Sequence, residues 1–235
     1  MKAILLDIEG TTTPIDFVHK TLFPYAKAKI GEFVETHFDD LQPEIAALET
    51  EHEKDFAAKA YERDFRADEP GSVADYLKFL IEVDRKSTPL KSIQGEIWRA
   101  GYEAGALRSE MFADVPPAFE RWRKQGKTIA IFSSGSVLAQ KLIFKYSSAG
   151  DLSGFIADYF DTTTGAKREA ESYERIAEKL GFRGGEILFV SDVLAELDAA
   201  RDARLQTALA IREGNGQIAG DFTHRSVNSF NELTF

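Results

Sequence analysis

The stretch KAILLDIEGTTTP, residues 2–14, decides the fold of this chain. It begins with a run of four apolar residues, 3–6, which is typical of a short strand buried in a parallel sheet. Two carboxylates, Asp7 and Glu9, follow directly, and glycine and three threonines end the run. The carboxyl ends of the strands in an open α/β sheet form the edge at which ligands bind. The stretch therefore predicts a first strand with two carboxylates at a binding edge.

Further strands are expected only in the second half of the chain, where apolar runs alternate with helical segments. These strands lie within KTIAIFSSGS (127–136), ADYFDTTTG (157–165), EILFVSD (186–192) and TALAI (207–211). Helices are expected near 137–147, 168–181 and 193–203. Strands that alternate with helices of about 10–15 residues are typical of βαβ units in a parallel, doubly wound sheet. The predicted fold class is therefore α/β with a Rossmann-like parallel sheet.

A long helical insert separates the first strand from the others. Residues 16 to about 106 show helical periodicity, as in SVADYLKFLIEVD (72–84), and no convincing strand. The predicted domains are a Rossmann-like core, residues 1–14 with 107–235, and an inserted helical cap, residues 15–106.

The composition excludes several classes of protein. The chain has 235 residues, of which 43% are hydrophobic and 29% charged, values that describe an ordinary globular protein rather than a disordered one. Its formal net charge of −10 argues against nucleic acid as a partner, because nucleic acid requires a basic face. No apolar stretch is long enough for a membrane span. The absence of cysteine excludes disulfides and thiolate chemistry and is compatible with a cytoplasmic location.

Polar side chains follow the ends of successive predicted strands. They are Asp7 and Glu9, then Ser133 and Ser134, then Lys167, and finally Ser191 with Asp192. The carboxylates suit a hard cation such as Mg²⁺, which proteins hold with one or two carboxylates and the substrate phosphate. Hydroxyl groups, a lysine and backbone N–H groups at helix starts suit a phosphate. A carboxylate, a metal site and a phosphate site together indicate phosphoryl transfer through an aspartyl-phosphate.

Each of these features has a simpler structural explanation when it is taken alone. A D-x-E sequence at a strand end usually forms a turn or a helix cap, and SSGS (133–136) usually forms a turn with an N-cap. Lys167 could be a solvated surface charge, and Asp192 could be the N-cap of the following helix. Unrelated caps would not be expected at the ends of successive strands, so the order of the elements favours function.

The order of these motifs resembles the haloacid dehalogenase superfamily of phosphotransferases, which have a nucleophilic aspartate, a Ser or Thr, a lysine and a final acidic motif. The stretch DIEGTTTP (7–14) is similar to one branch, the enolase-phosphatases, or acireductone synthases, of methionine salvage. Glu9 is a mark of this branch, since most of the superfamily has aspartate two residues after the nucleophile. The resemblance also covers IWRAGYEAGALRSEMFADVPPAFERW (97–122), IFSSGSVLAQKLIF (131–144), DTTTGAKREAESYERIA (161–177) and LFVSDVLAELDAA (188–200).

The resemblance implies a role for each residue at the predicted edge. Asp7 would attack the phosphorus and form the aspartyl-phosphate. Asp7 would also bind one Mg²⁺ per subunit, together with Asp192 and with Glu9 through its backbone or side chain. Glu9 would in addition be the acid/base for the leaving enolate. The phosphate group would be bound by Ser133, Ser134 and Lys167.

The resemblance also implies the reaction. Enolase-phosphatases enolise 5-methylthio-2,3-dioxopentyl 1-phosphate and hydrolyse the phosphate to give 1,2-dihydroxy-5-methylthiopent-1-en-3-one. The expected partner is therefore a small phosphate ester, with no nucleic acid or membrane, and the chain is expected to be a cytoplasmic monomer. The methylthio group needs an apolar pocket, for which Trp98 and Tyr102 are candidate walls, with packing in the cap core as the alternative for Trp98. Glu196, one helical turn after Asp192, could orient its neighbours or be an exposed helix residue, and receives no role.

Two other functions remain open from the sequence. The core could belong to a phosphatase of the same superfamily that acts on another small phosphate ester, since caps diverge faster than cores. A protein without enzymatic activity, such as a phospho-accepting receiver, fits less well. A receiver would lack a large helical insert and would have its acceptor aspartate on a later strand.

Overall fold

The chain divides into two compact units. The computed structural model describes residues 1–216 and 222–235. The units are Met1–Val18 with Leu107–Phe235, and His19–Ala106. The sequence pattern predicts the first boundary after residue 14 rather than after residue 18. Among the helices described, none combines the length and the apolar character that a membrane crossing requires.

The larger unit is built on a parallel sheet. In the part of the chain described, its six strands are β1 (Ala3–Leu6), β2 (Thr128–Phe132), β3 (Ile156–Phe160), β4 (Ile187–Ser191), β5 (Gln206–Ala210) and β6 (Arg225–Val227). They pair in the order β3-β2-β1-β4-β5-β6, and every neighbouring pair is parallel. The predicted α/β class with a Rossmann-like parallel sheet is confirmed.

The last strand is the one that the sequence analysis missed. Strands β1 to β5 overlap the stretches predicted from apolar runs, whereas β6 has only three residues, RSV, of which Val227 alone is buried. A strand so short, with two exposed polar residues, leaves no apolar run for a sequence pattern to detect.

The register of the sheet places the residues that follow β1, β2 and β4. Leu6 lies opposite Ile131 of β2 and opposite Val190 of β4. The backbone N–H of Asp7 continues this pairing by donating to the Val190 carbonyl at 3.0 Å. Because the three strands run in the same direction, the residues after them leave the sheet at one edge.

Nine α-helices occupy much of the remaining chain that the structure describes. They are α1 (Ile15–Phe17), α2 (Phe23–Thr36), α3 (Gln42–Ala57), α4 (Pro70–Glu82), α5 (Thr88–Glu103), α6 (Val115–Lys124), α7 (Val137–Lys145), α8 (Ala170–Leu180) and α9 (Leu194–Asp202). Helices α2 to α5 lie in the smaller unit. Helices α6 to α9 alternate with strands in the larger unit, as expected for βαβ connections.

An aromatic cluster forms the core against one face of the sheet. Leu5, Phe132 and Phe189 come from three neighbouring strands and are fully buried together with Tyr173 of α8. The ring centroid of Tyr173 lies 5.5 Å from that of Phe132 and 5.0 Å from that of Phe189. Helix α8 is therefore fixed against the central strands by an aromatic contact.

Trp98 and Tyr102 lie inside the smaller unit. Trp98 is 8% exposed, and its Nε1 donates to the carbonyl of Leu22 at 2.9 Å. Tyr102 is 3% exposed. Both side chains belong to the core of this unit, which confirms the alternative explanation of Trp98 as a core residue.

Arg212 connects the segment after β5 to the start of α6 through a buried ion pair and to the loop after β1 through a hydrogen bond. Arg212 donates from Nη1 to Asp114 Oδ2 at 2.8 Å and from Nε to the carbonyl of Thr11 at 3.2 Å. Its guanidinium carbon lies 4.6 Å from the ring centroid of Phe112 and 4.5 Å from that of Phe230. Burial alone would raise the pKa of Asp114, but its hydrogen bonds from Arg212 and from the Phe230 N–H hold that pKa below its usual value.

Asp114→Ala is expected to destabilise the fold by about 3–5 kcal/mol, because removing one partner of a buried ion pair leaves Arg212 without a counter-charge. Urea unfolding followed by circular dichroism measures the change. Glu120→Ala is the matched control, since Glu120 is an exposed residue 4.0 Å from Lys124. Exposed pairs of this kind contribute about 0–1 kcal/mol, so equal losses in the two variants would contradict the prediction.

Candidate active site

The loop after β1 holds Asp7 in one orientation. Asp7 is buried, and its Oδ1 accepts a hydrogen bond from the backbone N–H of Ile8 at 2.8 Å. The carbonyl of Asp7 accepts from the hydroxyl of Thr12 at 3.2 Å. The backbone N–H groups of residues 11–13 all donate to the Ile8 carbonyl, at 3.2, 3.0 and 2.9 Å. The three threonines of DIEGTTTP therefore close a compact turn that fixes the start of the loop.

Lys167 contacts Asp7 inside the protein. Its Nζ lies 2.7 Å from Asp7 Oδ1 and 2.6 Å from Glu196 Oε2, and all three side chains are buried. The hydroxyl of Tyr173 donates to the Lys167 carbonyl at 2.6 Å, which ties the loop after β3 to the aromatic core. The explanation of Lys167 as a solvated surface charge is therefore wrong.

Glu196 belongs to this cluster, although no role was predicted for it. It lies in the first turn of α9, and its Oε2 accepts from Ser191 Oγ at 2.9 Å. Ser191 Oγ in turn lies 3.3 Å from Asp7 Oδ2. The sequence offered one indication that Glu196 lies near the site, namely its spacing of one helical turn from Asp192. Residues on exposed helix faces show the same spacing, so this indication could not distinguish a buried Glu196 from an exposed one.

Asp192 follows β4 directly and takes no part in capping α9. The N-cap residue of that helix is Val193, without a side-chain cap bond, so the explanation of Asp192 as the N-cap is wrong. Its Oδ2 accepts instead from Asn215 Nδ2 at 3.2 Å. Burial, followed by the negative charges of Asp7 and Glu196, raises the pKa of Asp192 to about 7.

The cluster holds more negative than positive charge. Burial opposes the charge of Lys167, but Asp7 and Glu196 outweigh it and raise the lysine pKa, so the ammonium group stays protonated. Burial and the charge of Asp7 raise the pKa of Glu196. Asp7, Asp192 and Glu196 thus repel one another around the ammonium of Lys167. This surplus of negative charge suits a cation.

The two predicted serines follow β2 at the same edge of the sheet. Ser133 is buried, and its Oγ accepts from the backbone N–H of Gly135 at 3.2 Å. Ser134, the next residue, is half-buried. Gln140 of α7 holds this turn, because its Nε2 donates to the carbonyls of Gly135 and Phe160, both at 2.8 Å. The buried amide of Gln140 was not identified from the sequence, since its partners depend on the pairing of β2 with β3.

Glu9 lies two residues after Asp7 and is half-buried. It pairs with Thr13 through an isolated parallel bridge within the loop. Among the predicted site residues, Asp7 and Lys167 form a direct ion pair. Of the other predicted residues, Ser133 and Ser134 follow β2 and Asp192 follows β4. Glu9 lies in the loop after β1.

Both the sequence and the fold match known proteins. Residues 1–204 match the family model of the haloacid dehalogenase-like hydrolases. A curated relative from Synechococcus elongatus, named Enolase-phosphatase E1, is 50% identical over 98% of this chain and 96% of its own. The chain belongs to the enolase-phosphatases of this family. A relative of the same name from Sorangium cellulosum is 45% identical over 99% of this chain and 97% of its own.

Solved structures give the same assignment for the fold. The UTR4 protein of Saccharomyces cerevisiae is 33% identical, with coverage of 97% of both chains and a TM-score of 0.80. The crystal structure of CbbY from Rhodobacter sphaeroides in complex with phosphate has a TM-score of 0.61 at 14% identity, over 99% of this chain and 96% of its own. At that identity the likeness shows the fold alone.

Membership of the enolase-phosphatase branch implies a divalent metal, and the site residues fit one. Within the described residues, no set of three or more His, Cys, Asp or Glu side chains is placed to hold a metal ion between them. A small divalent cation needs fewer, because it is usually held by one or two carboxylates and completes its shell with water and substrate oxygens. Burial, followed by the charges of Asp7 and Glu196, raises the pKa of Asp192 to about 7, so a bound cation would stabilise the charged form of this carboxylate.

Lys167→Met is expected to destabilise the fold by about 3–5 kcal/mol in the presence of a chelator, because Asp7 and Glu196 then stay buried without their cation. Adding Glu196→Gln to Lys167→Met should recover part of this loss of stability, because the double variant no longer buries the Glu196 charge without the lysine that paired with it. Urea unfolding measures both changes. Lys179→Met is the matched control, at an exposed lysine 3.0 Å from Asp158, and should change stability by about 0–1 kcal/mol. A double variant that is less stable than Lys167→Met would contradict this charge balance.

Proposed function

We propose that this chain enolises 5-methylthio-2,3-dioxopentyl 1-phosphate and hydrolyses its phosphate to give 1,2-dihydroxy-5-methylthiopent-1-en-3-one, a step of methionine salvage. Asp7 attacks the phosphorus, and an aspartyl-phosphate forms as the enol leaves. Water then cleaves the acyl phosphate, which releases phosphate and restores the carboxylate. The observation that carries the proposal is the buried contact between Lys167 and Asp7 at the carboxyl edge of a parallel sheet.

Lys167 orients the nucleophile and attracts the phosphate. Its ammonium group lies 2.7 Å from Asp7 Oδ1, so a phosphate that approaches Asp7 also approaches this positive charge. At about 4 Å and an effective dielectric of about 20, one such pair of charges is worth about 4 kcal/mol. Glu196 contacts the same ammonium group at 2.6 Å and keeps it in place.

Ser133 and Ser134 bind the phosphate oxygens. Ser133 Oγ accepts a hydrogen bond from the Gly135 N–H, so its own hydroxyl hydrogen can be donated to a phosphate oxygen. Because Gln140 fixes the turn through two backbone carbonyls, the hydroxyl is held in position before the substrate binds. This preorganisation reduces the entropy that is lost on binding.

One Mg²⁺ per subunit is assigned to Asp7, Asp192 and Glu9, with Glu9 contributing its backbone or side-chain oxygen. When bound, Mg²⁺ offsets the repulsion between an anionic carboxylate and an anionic phosphate. Asp192 supports this assignment, because it is a half-buried carboxylate whose pKa is raised to about 7 by burial and by its acidic neighbours.

Glu9 transfers the proton to the leaving enolate. It lies on the same short loop as the nucleophile, and its bridge with Thr13 fixes the backbone at that point. Enolisation itself removes a proton beside a carbonyl and needs no covalent intermediate. Hydrolysis therefore requires Asp7 as a nucleophile, whereas enolisation does not.

The proposal also covers the organisation of the enzyme. Residues 1–14 with 107–235 act as the phosphatase core, and residues 15–106 act as the helical cap. The enzyme works as a monomer on a small phosphate ester in the cytoplasm, a location with which the absence of cysteine is compatible.

Asp7→Asn is expected to stop phosphate release almost completely, because an amide is a poor nucleophile, and to retain some enolisation. The enol phosphate should then accumulate. Ultraviolet absorbance detects the conjugated enol, and a phosphate assay detects hydrolysis. Asp202→Asn, at an exposed aspartate of α9, is the control and should behave as wild type.

Two results would count against parts of this mechanism. If Asp7→Asn binds the diketo phosphate but neither enolises it nor releases phosphate, both steps depend on Asp7. If the wild-type enzyme releases phosphate without new absorbance, the chain is a phosphatase for another small ester rather than an enolase-phosphatase.

Removal of divalent metal should abolish turnover. Excess chelator is expected to stop both absorbance change and phosphate release, and added Mg²⁺ is expected to restore both, because the carboxylates otherwise repel the phosphate. Asp192→Asn should raise the Mg²⁺ concentration needed for half-maximal turnover, whereas Asp202→Asn should not. Full turnover in excess chelator would contradict the metal assignment.

A further inference from the structure

One amide side chain joins two segments of the proposed cation site. Asn215 lies in the turn after β5, and its Nδ2 donates to the carbonyl of Gly10 at 2.9 Å and to Asp192 Oδ2 at 3.2 Å. Gly10 belongs to the loop that begins at Asp7, and Asp192 follows β4. A single side chain therefore fixes the nucleophile loop and the final acidic residue relative to one another.

The backbone of the loop approaches this bridge closely at Gly10. Gly10 has a φ of +64°, and a Cβ atom built on it would lie 2.3 Å from Asp192 Oδ2 and 2.9 Å from Asn215 Oδ1. Only glycine fits here, because both the backbone conformation and the close approach exclude a side chain. The carboxylate of Asp192 and the amide of Asn215 thus pack directly against the backbone of the loop.

The carbonyl oxygen of the same amide independently indicates a ligand at this site. Asn215 Oδ1 is buried and has no hydrogen-bond partner among the described residues. A buried oxygen without a donor is unfavourable, so it is expected to have a partner when the site is loaded. A water molecule bound to a cation would supply such a donor, since Mg²⁺ usually keeps several waters.

We infer that Asn215 is a positioning residue for the cation, acting through Asp192. The inference rests on the proposed function, because that function supplies the cation. One amide hydrogen holds Asp192 Oδ2 and restricts rotation of the carboxylate, and the same amide group holds the Gly10 carbonyl. Partners of this kind commonly set the affinity of a metal site, and their loss lowers it about 10–100-fold.

The turn has a second attachment that does not depend on Asn215. Arg212, three residues earlier, donates to the Thr11 carbonyl at 3.2 Å and pairs with Asp114 at 2.8 Å. The turn is therefore expected to stay on the loop when the Asn215 side chain is removed. This makes it possible to separate positioning of the cation site from stability of the fold.

The test is the affinity of the substrate-free protein for Mn²⁺, measured by the electron paramagnetic resonance signal of the free ion. Asn215→Ala is expected to weaken Mn²⁺ binding about 10–100-fold, and Asn215→Gln, which keeps an amide donor, should recover part of the loss. Asn231→Ala is the matched control, at an exposed asparagine 3.4 Å from Arg121, and should bind as wild type. The unfolding midpoint of the metal-free proteins should be the same for all four.

Each contrary result has a separate meaning. Asn215→Ala that binds Mn²⁺ as wild type does would overturn the inference and leave the proposed function intact. Equal weakening in Asn215→Ala and Asn215→Gln, with a lowered midpoint in the metal-free state, would assign the residue a structural role and overturn the inference as well. Wild-type protein that binds no divalent cation would overturn the proposed metal site, and the inference with it.

Discussion

The buried ammonium group of Lys167 is the interaction on which the site depends. It contacts Asp7 and Glu196, which come from the end of β1 and from α9, while Lys167 itself follows β3. Burying charged groups costs desolvation free energy, which is offset only when the partner charges are well placed. The contact therefore requires that the end of β1, the segment after β3 and α9 be held in fixed positions. The aromatic core holds the segment after β3, because Tyr173 packs against Phe132 of the sheet and its hydroxyl donates a hydrogen bond to the Lys167 carbonyl.

The backbone after β1 is constrained for a second reason. Gly10 approaches the Asp192 carboxylate so closely that no Cβ fits, and residues 11–13 turn their N–H groups onto the Ile8 carbonyl. The glycine and the threonines that follow the first apolar run therefore have different structural roles. The glycine permits the contact with the acidic residue, and the threonines close the turn that keeps Asp7 at the edge of the sheet.

Local patterns predicted most of the fold and the proximity of Asp7 and Lys167. The apolar run at residues 3–6 is strand β1, and the order of strand ends placed Asp7 and Lys167 at one edge. Gln140 and Asn215 were not identified, and Glu196 was named without a role, because the function of each residue depends on partners that are distant in the sequence. Asn215 bonds Gly10 across 205 positions of sequence, and no periodicity carries information over that distance.

Charge explains how an acidic protein can act on an anionic substrate. The chain has a net charge of −10, but at physiological ionic strength charges in solvent are screened beyond about 8 Å. A buried charge is screened much less, so the potential that a phosphate meets in the site is set by the cluster of Lys167 and its carboxylates. In that cluster the carboxyl groups of Asp7, Asp192 and Glu196 outnumber the single ammonium group of Lys167, which disfavours the approach of a phosphate. In the proposed mechanism a divalent cation would reverse this balance locally, since the carboxylates that repel the phosphate are those proposed to hold the cation. Affinity for phosphate and affinity for metal are therefore coupled through one set of residues.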